Sequence, residues 1–172
     1  FVSIQVEVKD DQFYRRRKAD GIVGVDLGVK AAATLSNGES LRAPKPLKAA
    51  LRRLRIRARR RSRKLEAAKV AAGFKAKGTL PKGTRLPVSS NRQKSAQALA
   101  RLHARIAHSR ADFAHKLTTR LCRENQAVVL EDLNVSGMLA NEKLARAISD
   151  VGFGLIRSQM EYKALRYGTR LV

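Results

Sequence analysis

Apolar and polar residues alternate at the start of the chain, with Val2, Ile4, Val6 and Val8 interleaved with Ser3, Gln5 and Glu7. A period of two predicts a half-buried strand over Phe1 to Val8. After a polar stretch from Lys9 to Asp20, the residues Ile22, Val23 and Val25 form a short apolar run that ends at a carboxylate, Asp26. Ala31 to Leu35 reads as a return strand, and Asn37-Gly38 is a strong hairpin signal because both residues tolerate the left-handed backbone of tight turns. Gly24 and Gly28 lie on either side of the acid and permit close backbone approach. Asp26 is therefore expected on a sheet, buried and rigidly held, and a buried acid needs a compensating partner.

The period then lengthens. Leu47, Leu51, Leu54, Ala58 and Leu65 fall near one face of a helix from about Pro46 to Ala68, whose other faces are almost solid arginine. Ala71 to Ser89 holds Gly73, Gly78, Gly83, Pro81 and Pro87 among lysines, and reads as a flexible basic linker between two helices. The second helix is expected to begin at Ser90, where Ser90-Asn91-Arg92-Gln93 fits a capping box. Its stripe of Leu99, Leu102, Ile106, Phe113, Leu117 and Leu121 recurs about every 3.5 residues, which predicts an antiparallel hairpin with the first helix. Ala127 to Leu130 is another short apolar strand, and it runs into Glu131-Asp132-Leu133-Asn134.

Charge changes this picture most. The chain of 172 residues has 37 Lys+Arg against 14 Asp+Glu, a formal net charge of +23. From Arg42 to Arg110 there are 22 basic residues and a single acid, Glu66, whereas the remainder is nearly balanced. A charge run is commonly a solvated face, but this one carries apolar periodicity and can dock while presenting a basic ridge. That is the footprint of a polyanionic partner, nucleic acid first among candidates. The candidate contacts are Arg52, Arg53, Arg55, Arg57, Arg59, Arg60, Arg61, Arg63 and Lys64 on the first helix, with Arg92 and Lys94 on the second.

Length allows one ordinary domain with a real core. Cys122 is alone, which excludes an internal disulfide or a cysteine-based zinc site and fits a reducing cytoplasm, the expected location. No apolar stretch approaches the roughly 20 residues of a membrane span, and no signal-peptide pattern opens the chain. Because it opens on Phe1, a fragment or processed piece is expected. His103, His108 and His115 lack the spacing of a metal-ligand pair and read as surface or hydrogen-bonded side chains. Oligomeric state is left open.

If the strand before Glu131 pairs with the one that carries Asp26, either Glu131 or Asp132 meets Asp26, since neighbouring strand residues point to opposite faces. Two carboxylates on adjacent strands repel unless a divalent cation lies between them, and hard oxygen ligands favour Mg²⁺ or Mn²⁺. Two-metal phosphodiester hydrolysis would follow from such a site. On spacing alone, capping and turn roles for both acids are equally open.

The order of these features resembles one family. GVDLGVKAAATLSNG, then the basic hairpin with NRQKSAQALARLHARIAHSRADFAHKLTTRL, then VVLEDLNVSGM, then LARAISDVGFGLIRSQMEYKALRYG, is similar to the TnpB/OrfB family of transposon-encoded RNA-guided DNA nucleases, relatives of the type V CRISPR effectors. The resemblance implies an α/β fold, an RNase H-like (RuvC-type) mixed sheet over residues 21–172 with a long basic helical hairpin (46–125, linker 71–89) inserted between strands. Residues 1–20 would be the end of a wedge-like region and a linker. It implies that Asp26 and Glu131 are catalytic Mg²⁺ ligands, that Asp132 points away, and that guide RNA and target DNA lie against the hairpin. It further implies a zinc ribbon and a third catalytic aspartate after a strand like Thr169 to Val172, so zinc, the third acid and activity are expected only with a carboxy-terminal part that this chain lacks. Asp150 is a poor substitute, because its context resembles a helix start or turn. Two other readings remain open: a nuclease-deficient RNA-guided repressor, and a fragment of an actin-like or sugar-kinase ATPase, whose first phosphate loop is similar to the Asp26 hairpin.

Overall fold

A computed structural model describes residues 20–172; the strand expected from Phe1 to Val8 lies outside them. Strand β1 (Gly21–Asp26) has Val23 and Val25 buried, as β-branched residues on a core face should be, but Ile22 is 72% exposed. The run Ile22 to Val25 is thus one alternating strand with an open face. β2 (Ala33–Leu35) pairs antiparallel with β1, Val25 opposite Leu35 and Asp26 opposite Thr34. Ser36 extends the pairing, donating its N–H to the Gly24 carbonyl at 2.9 Å and accepting the Gly24 N–H on its hydroxyl at 3.1 Å.

Asn37-Gly38 makes a turn, but into a third strand. Gly38 sits at φ 89°, Leu35 N–H donates to the Glu39 carbonyl at 2.8 Å, and β3 (Ser40–Leu41) follows. Two residues are too few to leave a periodic signal. The connection from β1 to β2 is instead residues 27–32, where a Cβ on Gly28 would stand 3.0 Å from the Ala31 carbonyl oxygen. Gly28 is needed for close approach. Gly24 is not, since a Cβ there would meet Ser36 Cβ at an ordinary 3.6 Å.

After β3 come helices α1 (Pro46–Ala71) and α2 (Ser90–Glu124), then β4 (Asn125–Leu130), α3 (Val135–Leu139), α4 (Ala145–Val151), α5 (Phe153–Tyr167) and β5 (Arg170–Leu171). The five strands form one mixed sheet, ordered β3-β2-β1-β4-β5, in which β4 runs parallel to β1 and β5 parallel to β4. The fold is mixed α/β. It divides into two compact units, Pro46–His108 and the rest of the described chain. Helix α2 contributes residues 90–108 to one unit and 109–124 to the other.

In the sheet unit, Val23, Val25 and Val128 pack with Ala114, Leu117, Leu121 and Cys122 of α2, Ile148 and Val151 of α4, and Phe153, Ile156 and Met160 of α5. Burying an aliphatic or aromatic side chain of this size contributes about 1.5–3 kcal/mol. Two charged side chains lie inside, Asp150 and Lys163. Lys163 donates to the His115 carbonyl at 3.0 Å, Thr118 Oγ1 at 2.7 Å and Thr119 Oγ1 at 2.8 Å, so all three ammonium hydrogens have acceptors. Burial nonetheless lowers its pKa below the ordinary lysine value.

In the other unit, Ala50 and Leu54 of α1 pack with Leu102 and Ile106 of α2, with Leu47 and Leu99 at the margin. Lys64 Nζ donates to the Asn91 carbonyl at 2.9 Å, and Arg57 Nη1 donates to that of Ala98, so the helices run antiparallel. Ala50 takes the stripe position expected of Ala58, which is exposed, because past Leu54 the contact is continued by Arg57. The cap of α2 is also one residue early. The Ser89 carbonyl accepts from Gln93 N–H at 2.9 Å, making Ser89 the capping residue and breaking the expected Ser90 box. Residues 72–89 form neither helix nor strand, but both ends are tied. The Glu66 carboxylate accepts from Lys69 Nζ at 2.9 Å and from the Lys77 N–H, and Arg92 Nη2 donates to the Pro87 carbonyl at 2.8 Å.

Candidate functional site

The β1–β4 register positions the candidate acids. Val23 lies opposite Val128, Gly24 opposite Val129 and Val25 opposite Leu130, so the next step brings Asp26 alongside Glu131 at the carboxyl ends of two parallel strands. Val23 and Val128 are buried, whereas Val129 is 44% exposed, which identifies the Gly24–Val129 row as the open face. Two residues on, Asp26 and Glu131 share that face and both are exposed. They are not buried acids as expected: the alternation that buries Val25 turns its neighbour outward. Both line a depression of about 490 Å³ with Gly24, Thr34, Ser36 and Val129 among its walls. The chain leaves β1 toward β2 on one side and returns as β4 on the other, and such switch points at strand carboxyl ends are where open α/β sheets bind ligands.

Among the described residues, neither Asp26 nor Glu131 has a hydrogen-bond or ion-pair partner. Other acids of this unit do. Glu39 accepts both Arg120 Nη1 and Nη2, at 2.6 and 2.7 Å, which holds its carboxyl below the ordinary glutamate range. Asp112 pairs with Lys116 at 2.8 Å. Asp132 is bonded by Arg157 of α5, so of the two adjacent acids it is Glu131 that faces the depression with Asp26. Strands about 4.8 Å apart put the two carboxylates within mutual repulsion, of order 1 kcal/mol even in water. A pair of unpartnered carboxylates fits a hard divalent cation.

Asp150 is elsewhere. It is 3% exposed in the last turn of α4, not at a helix start, and bonds Arg110 Nη2 at 3.2 Å. Among the described residues no group of three or more His, Cys, Asp or Glu side chains is placed to hold a metal. His103, His108 and His115 are exposed, and Cys122 is buried and unpaired. Sequence reasoning missed Thr34 of β2 and Ser36 just beyond it, which border the site; the alternation Ala33-Thr34-Leu35-Ser36 was their signal.

The basic candidates separate into two groups. Arg52, Arg53, Arg55, Arg59, Arg60, Arg61 and Arg63 of α1 and Lys94 of α2 are exposed, with no hydrogen-bond or ion-pair partner among the described residues. Arg57, Lys64 and Arg92 are committed to backbone carbonyls and hold the hairpin and its connection together. Among the described residues no helix is long and apolar enough to cross a membrane.

Residues 3–142 match the family OrfB_IS605, described as a probable transposase. A Streptomyces pristinaespiralis protein named "Putative RNA-guided DNA endonuclease" is 45% identical over 150 residues, covering 87% of this chain and 32% of that protein. A relative of the same designation in Mycobacterium tuberculosis is 34% identical over 181 residues, 99% of this chain and 35% of its own length. Another, from Escherichia coli K12, is 30% identical over 166 residues, 88% of this chain and 36% of its own length. The chain spans about a third of the length of these curated relatives.

Proposed function

This chain belongs to the OrfB_IS605 family, the TnpB-like group of its named relatives, and we propose that it supplies part of the RuvC-type nuclease core of an RNA-guided DNA endonuclease. The observation that carries the reading is the placement of Asp26 and Glu131, unpartnered, at neighbouring ends of parallel strands. A five-stranded mixed sheet is compatible with the RNase H-like architecture such a core requires.

Asp26 and Glu131 would hold Mg²⁺ or Mn²⁺ through carboxylate oxygens, and Thr34, opposite Asp26, offers a hydroxyl beside them. A cation bound there supplies a Lewis acid for a phosphoryl oxygen and lowers the pKa of coordinated water. The rigid strands keep both carboxylates at fixed spacing, so binding costs little reorganisation. The exposed arginines of α1 would meet phosphates of guide RNA or target DNA, contacts that position the backbone while base pairing reads sequence. With two carboxylates in the site, the chain alone is expected to bind the cation and not to cut.

Mn²⁺ binding followed by electron paramagnetic resonance tests the assignment. Asp26→Asn and Glu131→Gln should each weaken binding at least about tenfold, with the melting temperature unchanged or raised because a repulsion is removed. In the whole protein, either substitution should abolish DNA cleavage and spare RNA-dependent target binding; cleavage retained in either would overturn the reading. Stabilisation by Mg-ATP without any response to structured RNA would favour the phosphate-loop reading instead.

A further inference from the structure

Glu131 and Asp132 are consecutive acids beyond the last residue of β4: the register carries Glu131 onto the face of Asp26, but no ladder bond holds it there. Either could turn toward Asp26 if the backbone here were free. Three contacts fix it. Leu130 donates its N–H to the Val172 carbonyl at 2.8 Å, Leu133 packs against the core, and between them Asp132 Oδ1 is taken by Arg157 Nη1. Arg157 itself is oriented, since its Nε donates to Glu161 Oε1 at 3.2 Å, one turn further along the same helix. Its neighbour Ile156 is fully buried in the sheet core, so the guanidinium projects from a fixed base.

We propose that Arg157 is a positioning residue for the candidate metal pair: by capturing Asp132 it leaves Glu131 as the acid presented to Asp26. This rests on the metal-site reading above. Arg157 touches neither carboxylate of the pair. It acts through the backbone and by neutralising the adjacent acid, which would otherwise compete for the cation. A lysine at this position would keep the charge but lose the two-edged fork that grips Asp132 and Glu161 together.

The test is Mn²⁺ affinity of the full chain, by electron paramagnetic resonance, alongside its melting temperature. Arg157→Gln should weaken Mn²⁺ binding about three- to tenfold with little change in melting temperature, as an ion pair with both members substantially exposed contributes little to stability. Arg157→Lys should recover part of the affinity. In the whole protein the same substitution should raise the Mg²⁺ concentration for half-maximal cleavage and leave the rate at saturating Mg²⁺ near its original value. If Arg157→Gln leaves affinity intact while Asp26→Asn and Glu131→Gln destroy it, Arg157 has no positioning role and the metal pair stands. A fall in melting temperature without a fall in affinity would overturn the proposal equally. If Asp26→Asn and Glu131→Gln leave Mn²⁺ binding untouched, the metal-site reading fails and the role of Arg157 falls with it.

Discussion

At the scale of single residues, the contrast between two side chains that sequence alone marks as unusual is instructive. Asp26 ends an apolar run yet is exposed, while Cys122 is buried with its sulfur 4.0 Å from that of Met160. Burial pushes the Cys122 thiol up to about 11, the positive charge of Lys163 only partly opposing the shift. At pH 8 the thiolate fraction is then of order a thousandth, and thiolate is the reactive form. Folded protein should resist thiol-directed reagents at pH 8, labelling only as fast as it unfolds; rapid labelling of the folded chain would contradict this burial. Asp26 was legible as an acid at a strand end, and Glu131-Asp132 as a pair of which one would join it. Spacing alone does not choose between them, and only the family resemblance points to Glu131, because the β1–β4 register that brings Glu131 alongside Asp26 joins strands remote in sequence. The exposure of Asp26 was misread for a related reason: with Ile22 and Val25 both apolar, the run hides its own alternation, and only the buried partners of Val23 and Val25 show which side is inside.

Elements follow the hydrophobic period where it is long and depart from it where a few polar contacts decide. Both long helices begin at the expected residues, yet the α2 stripe serves two separate cores, Leu99 to Ile106 in one and Leu117 to Cys122 in the other. The single acid of the basic block explains a further detail that composition concealed. Glu66 accepts the Lys77 N–H and the Lys69 ammonium, and those bonds hold its pKa below the ordinary 4.5. Since the folded value is the depressed one, the anchorage is fully present above pH 4.5 and is lost as pH falls through the lowered value. The Lys77 amide resonance should therefore titrate below pH 4.5, and Glu66→Gln should remove that titration and raise amide exchange over residues 72–78 at neutral pH. A Lys77 amide unaffected by either change would show that Glu66 does not anchor the segment. Glycine, proline and lysine content predicts a flexible basic linker there, and Glu66, Lys69 and Arg92 bond to its backbone.

For the whole molecule, charge is the dominant property: of the net +23, residues 42–110 carry +21 and α1 alone +10. Structured RNA should bind with an affinity that falls steeply with salt, each phosphate contact adding roughly 0.7–0.9 to the slope of log K against log salt. Changing Arg52, Arg53, Arg59, Arg60 and Arg63 together to Gln should lower that slope by up to about four and weaken all sequences alike, as measured by fluorescence anisotropy. A change in sequence preference would instead mean that the helix reads bases. The mixed α/β class was legible from the succession of periods, two, then about 3.6, then two again. The sheet order was not, since no local pattern encodes the parallel pairing of β1 with β4. That pairing joins strands separated by the entire basic hairpin, and an unstructured connection of such length would carry a polymer's closure entropy. An antiparallel helical pair returns close to its point of departure, so it shortens the effective loop that the sheet must close. Lengthening both helices in step would extend the reach of the arginine ridge while adding little to that closure cost, which even for a flexible chain grows only by about 0.6 kcal/mol per doubling.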